Sequence, residues 1–374
     1  MGKRTQTPGV KGSTLELLVS GGGRIQSIPG LLFALILLGI AWIPTRITGL
    51  QVLPLWGFFL LDWSLMAALP RLEISFGPAK PPTLLLALLR VPFVFLPSPW
   101  IWGFQTIGTL LIIYAFFIEP QRLVVTLQKL VTDKLRAGDQ IRILHMGDLH
   151  LERMTRREHK LMERVKSLRP DLILFSGDIL SYSTVEDEGA RRLARSILGS
   201  LQAPLGVFAV AGSPPVDTMQ VLDAVYHDTT IDLLDGRTLE IDIQDLFVQV
   251  TGLACSHDMD KDGARLEALP ELDPSKFQIL LFHSPDLAPQ AAALGYDLQL
   301  SGHTHGGQVR LPFYGALYTS SLLGKRYESG RYQIEDLTLY VTRGLGMEGK
   351  AAPRVRFLSP PEITLWEING ANLK

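Results

Sequence analysis

The chain has 374 residues, enough for one large domain or two smaller ones. Its 36 basic and 37 acidic side chains nearly cancel, leaving a formal net charge of -1, which argues against a nucleic-acid binder working through bulk electrostatics. Cys255 is the only cysteine, so the chain can form neither an intrachain disulfide nor a multi-cysteine zinc cluster.

Apolar residues are unevenly placed. Residues 1–27 carry Lys3, Arg4, Lys11 and Arg24 among Gly, Ser and Thr and read as a basic tail. A basic start before an apolar run also resembles a signal peptide, but further apolar segments follow closely and no small-x-small cleavage site ends the first. Residues 28–118 read as a transmembrane region of about four helices, with candidate spans at 29–45, 53–70, 82–98 and 101–118. About 17–20 apolar residues are needed to cross a bilayer core. Asp62 interrupts the second span. The third carries Arg90 with Pro92 and Pro97 beyond it, and reads either as a span or as a re-entrant or interfacial segment. A buried Arg needs a partner, and Asp62 in the neighbouring span is the candidate. Arg71 and Lys80 lie in the second loop, and Arg122, Lys129, Lys134 and Arg136 follow the last span. With the basic tail, this places both termini and the soluble domain on the cytoplasmic side if the number of spans is even; if the third segment does not cross, the domain lies outside.

Residues 119–139 alternate Leu and Val with charges and are expected as a linker along the membrane surface, a connecting helix or strand pair being the alternative. From Gln140 short apolar runs alternate with helical periodicity, as in an α/β domain extending over 140–370. Strands are predicted at 141–146, 172–175, 206–211, 246–253, 277–282, 297–300, 337–342 and 362–367. Thr155 and Glu158 form a capping box for a helix with Leu161, Val165 and Leu168 on one face, and residues 185–198 form another.

The strand ends carry the chemistry. The first delivers Asp148 and His150 in MGDLH, the second Asp178 in FSGD, the strand at 277–282 His283 in LFHSPD, and the next His303 and His305 in SGHTHGGQV. Ligands bind at the carboxyl ends of strands in open α/β sheets, and six metal-competent residues arrive there by four strand exits. An Asp in a turn or a His at a strand end is unremarkable alone. The order D-x-H, G-D, H, G-H-x-H is far harder to obtain by chance.

That order resembles the calcineurin-like metallophosphoesterases, in particular their membrane-associated bacterial branch, over residues 140–368. The resemblance implies a four-layer α/β sandwich holding two Mn, Fe or Zn ions and hydrolysing phosphomonoesters, phosphodiesters or pyrophosphates. It implies one metal on Asp148, His150 and His305, a bridging Asp178, and a second metal on His283 and His303. Mixed carboxylate and imidazole ligands suit those metals better than Mg or Ca.

The chain departs from the family at the third motif, Gly-Asn-His, which reads Gly212-Ser213-Pro214. The second metal loses an amide oxygen and the leaving group loses its His. His257 in CSHDMD is a candidate replacement acid or an exposed loop histidine, and His145, His159 and His227 read as structural or surface residues. The expected protein is a membrane-anchored phosphohydrolase with membrane lipids and a phosphoester substrate as partners, its oligomeric state open. Its branch includes enzymes acting on lipid phosphoesters and on UDP-2,3-diacylglucosamine. The competing reading is a membrane protein whose impaired domain binds metal without turnover; a transporter with a regulatory domain finds little polar pathway to support it.

Overall fold

A computed structural model describes residues 21–243, 246–347 and 353–371; most of the basic tail, residues 1–20, lies outside them. Helix α1 (Gly30–Thr48), α2 (Val52–Ala68), α3 (Lys80–Arg90) and α4 (Trp100–Ile113) make up the apolar region. Phe33, Leu37 and Ala41, spaced one turn apart on α1, pack against Leu55 and Phe59 of α2 and Ala87 of α3. The outward faces are just as apolar: Leu31, Leu35, Ile43 and Ile47 of α1, Leu85 and Leu89 of α3, and Ile107 and Leu110 of α4 are exposed. Helices hydrophobic all round belong in a buried or lipid environment.

Of the four expected spans, two helices reach crossing length, Gly30–Thr48 and Trp100–Gln121, the latter including the π and 3₁₀ turns that prolong α4. The 17 residues of α2 are fewer. The third segment, expected as a span or as a re-entrant or interfacial segment, forms a shorter helix than α1 or α4. Its helix has 11 residues and breaks into a 3₁₀ turn at Val91–Phe95, where Pro92 removes a backbone donor. At about 1.5 Å per residue, α3 extends only about 17 Å. The partnership expected between Arg90 and Asp62 is present, with Nη1 3.0 Å from Oδ2. Thr109 of α4 joins them, accepting from Arg90 and donating to Asp62.

The surface linker expected at 119–139 is corrected, because its middle is strand β1 (Val124–Thr132). This strand pairs in parallel with β14 (Glu362–Gly370) over nine residues. The domain therefore begins with β1 and closes on β14. Between them run β2 (Gln140–Met146), β3 (Leu172–Phe175), β4 (Val207–Ala209), β5 (Ile231–Leu233), β6 (Arg237–Ile243), β7 (Leu246–Leu253), β8 (Phe277–Phe282), β9 (Leu298–Ser301), β10 (Arg310–Leu311), β11 (Gly315–Ala316), β12 (Gly330–Ile334) and β13 (Leu337–Val341). One sheet has the order β1-β14-β2-β3-β4-β5, the other β12-β13-β9-β8-β7-β6, and β10-β11 is a small hairpin.

Strand alternation decides the layers. Ile141 and Ile143 of β2, Leu172 and Leu174 of β3, Phe277, Ile279 and Leu281 of β8, and Trp366 and Ile368 of β14 meet between the sheets. The opposite faces of β2 and β3, Leu144, Met146, Ile173 and Phe175, meet α5 (Arg156–Leu168), α6 (Glu188–Leu198) and α7 (Met219–Tyr226). On the second sheet, Leu280 and Phe282 of β8 and Leu337 and Leu339 of β13 meet α8 (Met259–Glu267) and α9 (Ala288–Ala293). The four layers are helix, sheet, sheet, helix. Thr155 and Glu158 form the predicted capping box at the start of α5.

Candidate metal centre

Parallel strands put their exits on one rim, and backbone bonds there align the loops. After β2 and β3 the two loops run side by side: Asp148 N–H donates to Gly177 O, His150 N–H to Asp178 O and Leu151 N–H to Ile179 O. After β8 and β9, Gly302 N–H donates to His283 O. The sheets meet where His303 N–H donates to Asp148 Oδ1 at 2.9 Å. Asp148, His150 and Asp178 thus come from the first sheet, and His283, His303 and His305 from the second.

All six predicted side chains are buried and fall into two groups, Asp148, His150 and His305 in one and Asp178, His283 and His303 in the other. Within each group one ligand atom per residue lies within 4.8 Å of the others. Asp178 Oδ2 lies between the groups, 3.4 Å from His150 Nε2 and 3.3 Å from His283 Nε2. Five of the six, Asp148, His150, Asp178, His303 and His305, have left-handed backbone with φ between 39° and 70°. Such conformations cost non-glycine residues about 1–3 kcal/mol each and concentrate at functional sites. Gly302 is a true steric requirement: a Cβ there would stand 2.2 Å from Asp148 Oδ2.

The donor set fits a divalent metal. His150 Nε2 and His305 Nε2 are 3.0 Å apart. Two imidazoles sharing one ion at about 2.1 Å place their nitrogens about 3.0–3.4 Å apart for right-angle to tetrahedral geometry. Asp148 Oδ2 is buried without a hydrogen-bond partner among the described residues. His283 directs Nδ1 to Ser176 O at 2.8 Å and so keeps Nε2 for the centre. His303 directs Nε2 to Ser320 O at 3.2 Å and keeps Nδ1. Carbonyl partners on the far nitrogen are how ligand histidines are oriented.

The electrostatics also call for positive charge. Burial, and then Asp178, push Asp148 up to about 6 against the pull of His283. Burial would raise Asp178 as well, but His283 and His150 hold it well below the usual carboxylate range. Burial would lower His283, yet Asp178 and Asp148 push it up to about 9. Burial takes His303 and His305 well below the usual imidazole range.

At the altered third motif, Ser213 Oγ lies 3.1 Å from Asp178 Oδ2 and 3.2 Å from His283 Nε2, so the hydroxyl stands at the second group. His257, expected as a replacement acid or an exposed loop residue, is half-buried and packs against His303 with ring centroids 4.6 Å apart. Burial and then His283 push it down to about 4, so at neutral pH it has no extra proton to donate.

Three supports were not read from the sequence. Asp217 accepts from the backbone N–H of Asp178, Ile179 and Gly212 and clamps the second and third motifs together. Its signal is an acid shortly after Gly212-Ser213-Pro214. Arg356, fully buried, donates to the carbonyls of Arg343, Gly344, Gly346 and Ser359. It holds the loop whose Leu345 and Gly346 N–H groups donate to Asp148 O. Third, Ile74, Ser75 and Phe76 of the α2–α3 loop line a pocket shared with His150, Glu152 and Arg153. A cavity of ≈ 680 Å³ beside Gly212 and Pro214 is lined by Met219, Leu222 and Tyr226 together with Asp217, Asp223 and Asp235.

Fold and site together define a metallophosphoesterase, a hydrolase acting on phosphoester bonds. The chain belongs to the calcineurin-like phosphoesterase family, whose sequence profile matches residues 141–307. It is 32% identical over 282 residues to the uncharacterized metallophosphoesterase YkuE of Bacillus subtilis, covering 69% of this chain and 90% of that protein. It is 27% identical over 312 residues to the UDP-2,3-diacylglucosamine pyrophosphatase LpxG of Chlamydia muridarum, covering 68% and 91%. With the phosphodiesterase YaeI of Escherichia coli it shares 27% over 271 residues, 68% and 92% of the two chains.

Proposed function

We propose that this chain is a membrane-anchored, two-metal phosphohydrolase whose substrate carries its phosphoester or pyrophosphate on a lipid. The observation that carries the reading is the position of Asp178 Oδ2 between two three-residue ligand groups, beside a pocket wall made by the apolar region.

Asp148, His150 and His305 would hold one ion, His283 and His303 the other, and Asp178 both, with Mn, Fe or Zn the fitting metals. Bound there, two ions supply Lewis acidity for the phosphoryl oxygens and lower the pKa of the attacking water. The chain's own groups orient this. Ser176 and Ser320 carbonyls fix the two second-group imidazoles, and Asp217 fixes the backbone of Asp178. Pro214 replaces the family's leaving-group His, and general-acid help is worth about 10²–10⁴-fold. A pyrophosphate, which leaves as a stable anion, suffers least from that loss. The LpxG relative's name brings a lipid-borne pyrophosphate of this kind to the chain as the candidate substrate class.

Three features support a membrane setting. The apolar helices leave their outward faces exposed. The hairpin following His305 exposes Leu311, Phe313, Tyr314, Leu317 and Tyr318. Its base at Val309 bridges Phe357, which packs edge-on against Tyr114 at the end of α4. The α2–α3 loop lies on the domain's side, where Gln121 donates to Ile74 O. The loop before α3 and the end of α4 thus share the domain's side, so α3 and α4 leave that side and return to it as a pair, and the Lys and Arg there favour the cytoplasmic face.

Ser213 and Pro214 favour one competing reading, a domain that binds metal without turnover. The purified full chain in nanodiscs, loaded with Mn2+, separates the two. Hydrolysis of a diacylated nucleotide-sugar pyrophosphate with kcat/KM at least tenfold above its deacylated form supports the proposal. Absence of turnover on this substrate, on phospholipid diesters and on an activated aryl phosphodiester supports the competing reading.

A further inference from the structure

We infer that His257 is a ligand of the second metal and replaces the donor lost at Ser213, an inference that rests on the two-metal reading above. Three independent features of this residue point the same way.

The first is ring geometry. His257 and His303 have centroids 4.6 Å apart and planes inclined by 38°. The His150 and His305 rings, which share the first ligand group, are 4.7 Å apart and also inclined by 38°. His283 and His303 of the second group are 4.9 Å apart, and His257 is 6.3 Å from His283. His257 therefore stands to His303 as His150 stands to His305, just outside the set of Asp178, His283 and His303 whose ligand atoms lie within 4.8 Å of one another.

The second is the free nitrogen. His257 Nδ1 faces Cys255 Sγ at 3.8 Å, while Nε2 is buried with no hydrogen-bond partner among the described residues. A buried nitrogen without a partner is destabilising, and a bound ion removes that cost.

The third is the backbone. His257 has φ 58°, the left-handed conformation of five of the six predicted ligands. Its loop is fixed on both sides. Ser256 N–H donates to Asp262 Oδ2, and Asp258 caps α8 by accepting from Lys261 N–H. A residue held in a costly conformation by its neighbours, with an unused nitrogen beside two ligand histidines, is placed for coordination. Where the family offers an amide oxygen after β4, this chain offers an imidazole after β7.

The test is metal stoichiometry on the full chain in detergent, stripped and titrated with Mn2+ alone, read by elemental analysis and electron paramagnetic resonance. The wild type is expected to bind two Mn2+ with a spin-coupled spectrum. His257→Ala is expected to bind one tightly, with the spectrum of an isolated ion and the second affinity lowered at least tenfold. His257→Phe keeps an aromatic ring without a donor and reads the same quantity if the Ala variant fails to fold. Adding Ser213→Asn to either variant should restore the second ion. Two Mn2+ of unchanged affinity in the Ala or Phe variant overturn this inference and leave the two-metal reading intact. Fewer than two in the wild type overturns the two-metal reading itself.

Discussion

Replacing Asp62 by Asn removes one charge from the buried pair that joins three helices of the apolar region, at nearly constant shape. The carboxylate and Arg90 are 3.0 Å apart, with side chains 2% and 7% exposed. Thr109 Oγ1 bridges them at 2.8 and 3.0 Å, so the Asn variant keeps an oxygen that can accept from Thr109 but strands the guanidinium. Breaking a buried pair from one side costs about 3–5 kcal/mol, whereas replacing both partners with apolar residues is often neutral. Asp62→Asn and Arg90→Met should each lose about 3–5 kcal/mol, and Asp62→Leu combined with Arg90→Met should recover most of it. Unfolding in graded mixtures of mild and denaturing detergent, followed by tryptophan fluorescence, reads this region directly. Trp42, Trp56, Trp63, Trp100 and Trp102 lie there, and of the six tryptophans only Trp366 does not. Single variants losing less than about 1 kcal/mol, or a double variant no better than the worse single, would refute the pairing as a structural tie.

Further consequences concern the site. Asp178→Asn should weaken Mn2+ at both positions, because one oxygen faces both ligand groups; elemental analysis showing one site untouched would contradict the bridge. Ser213→Asn with Pro214→His should raise kcat on alkyl phosphodiesters by about 10²-fold while changing aryl substrates little, and equal gains on both would remove the leaving-group argument. Phe313→Asp should lower turnover of vesicle-borne substrate and spare a soluble aryl diester, since an exposed aromatic hairpin acts only where there is lipid to enter. Burial holds His145 down to about 3. Between about 6.5 and that value the unfolded chain binds a proton that the native chain excludes, so this group removes up to about 1.4 kcal/mol of stability per unit as pH falls below 6.5. His145→Asn should flatten that acid limb in denaturant titrations; parallel limbs would show that another group sets it.

Local signals made part of this molecule readable in advance. The six ligands follow strands whose apolar runs mark their ends, and the capping box at Thr155 starts α5 as written. Asp62 and Arg90 were matched because a charge in an apolar span needs its opposite. What escaped depended on distant partners. Val124–Thr132 looks like a charged linker because an edge strand is half polar, and its partner β14 lies more than 200 residues away in the chain. The placement of His257 beside His303 depends on β7 lying beside β8, so that the loop after β7 reaches the site. Arg356 reads as a surface cation until folding surrounds it with carbonyls. The short third helix is legible in kind, through Arg90 and Pro92.

Anomalous diffraction at the manganese edge, from crystals of the full chain grown with Mn2+, tests the two-metal centre most directly. The account predicts two peaks, one among Asp148, His150 and His305 and one among His283, His303 and Asp178, with Asp178 contacting both. A single peak in the first group, or none near either, would contradict it.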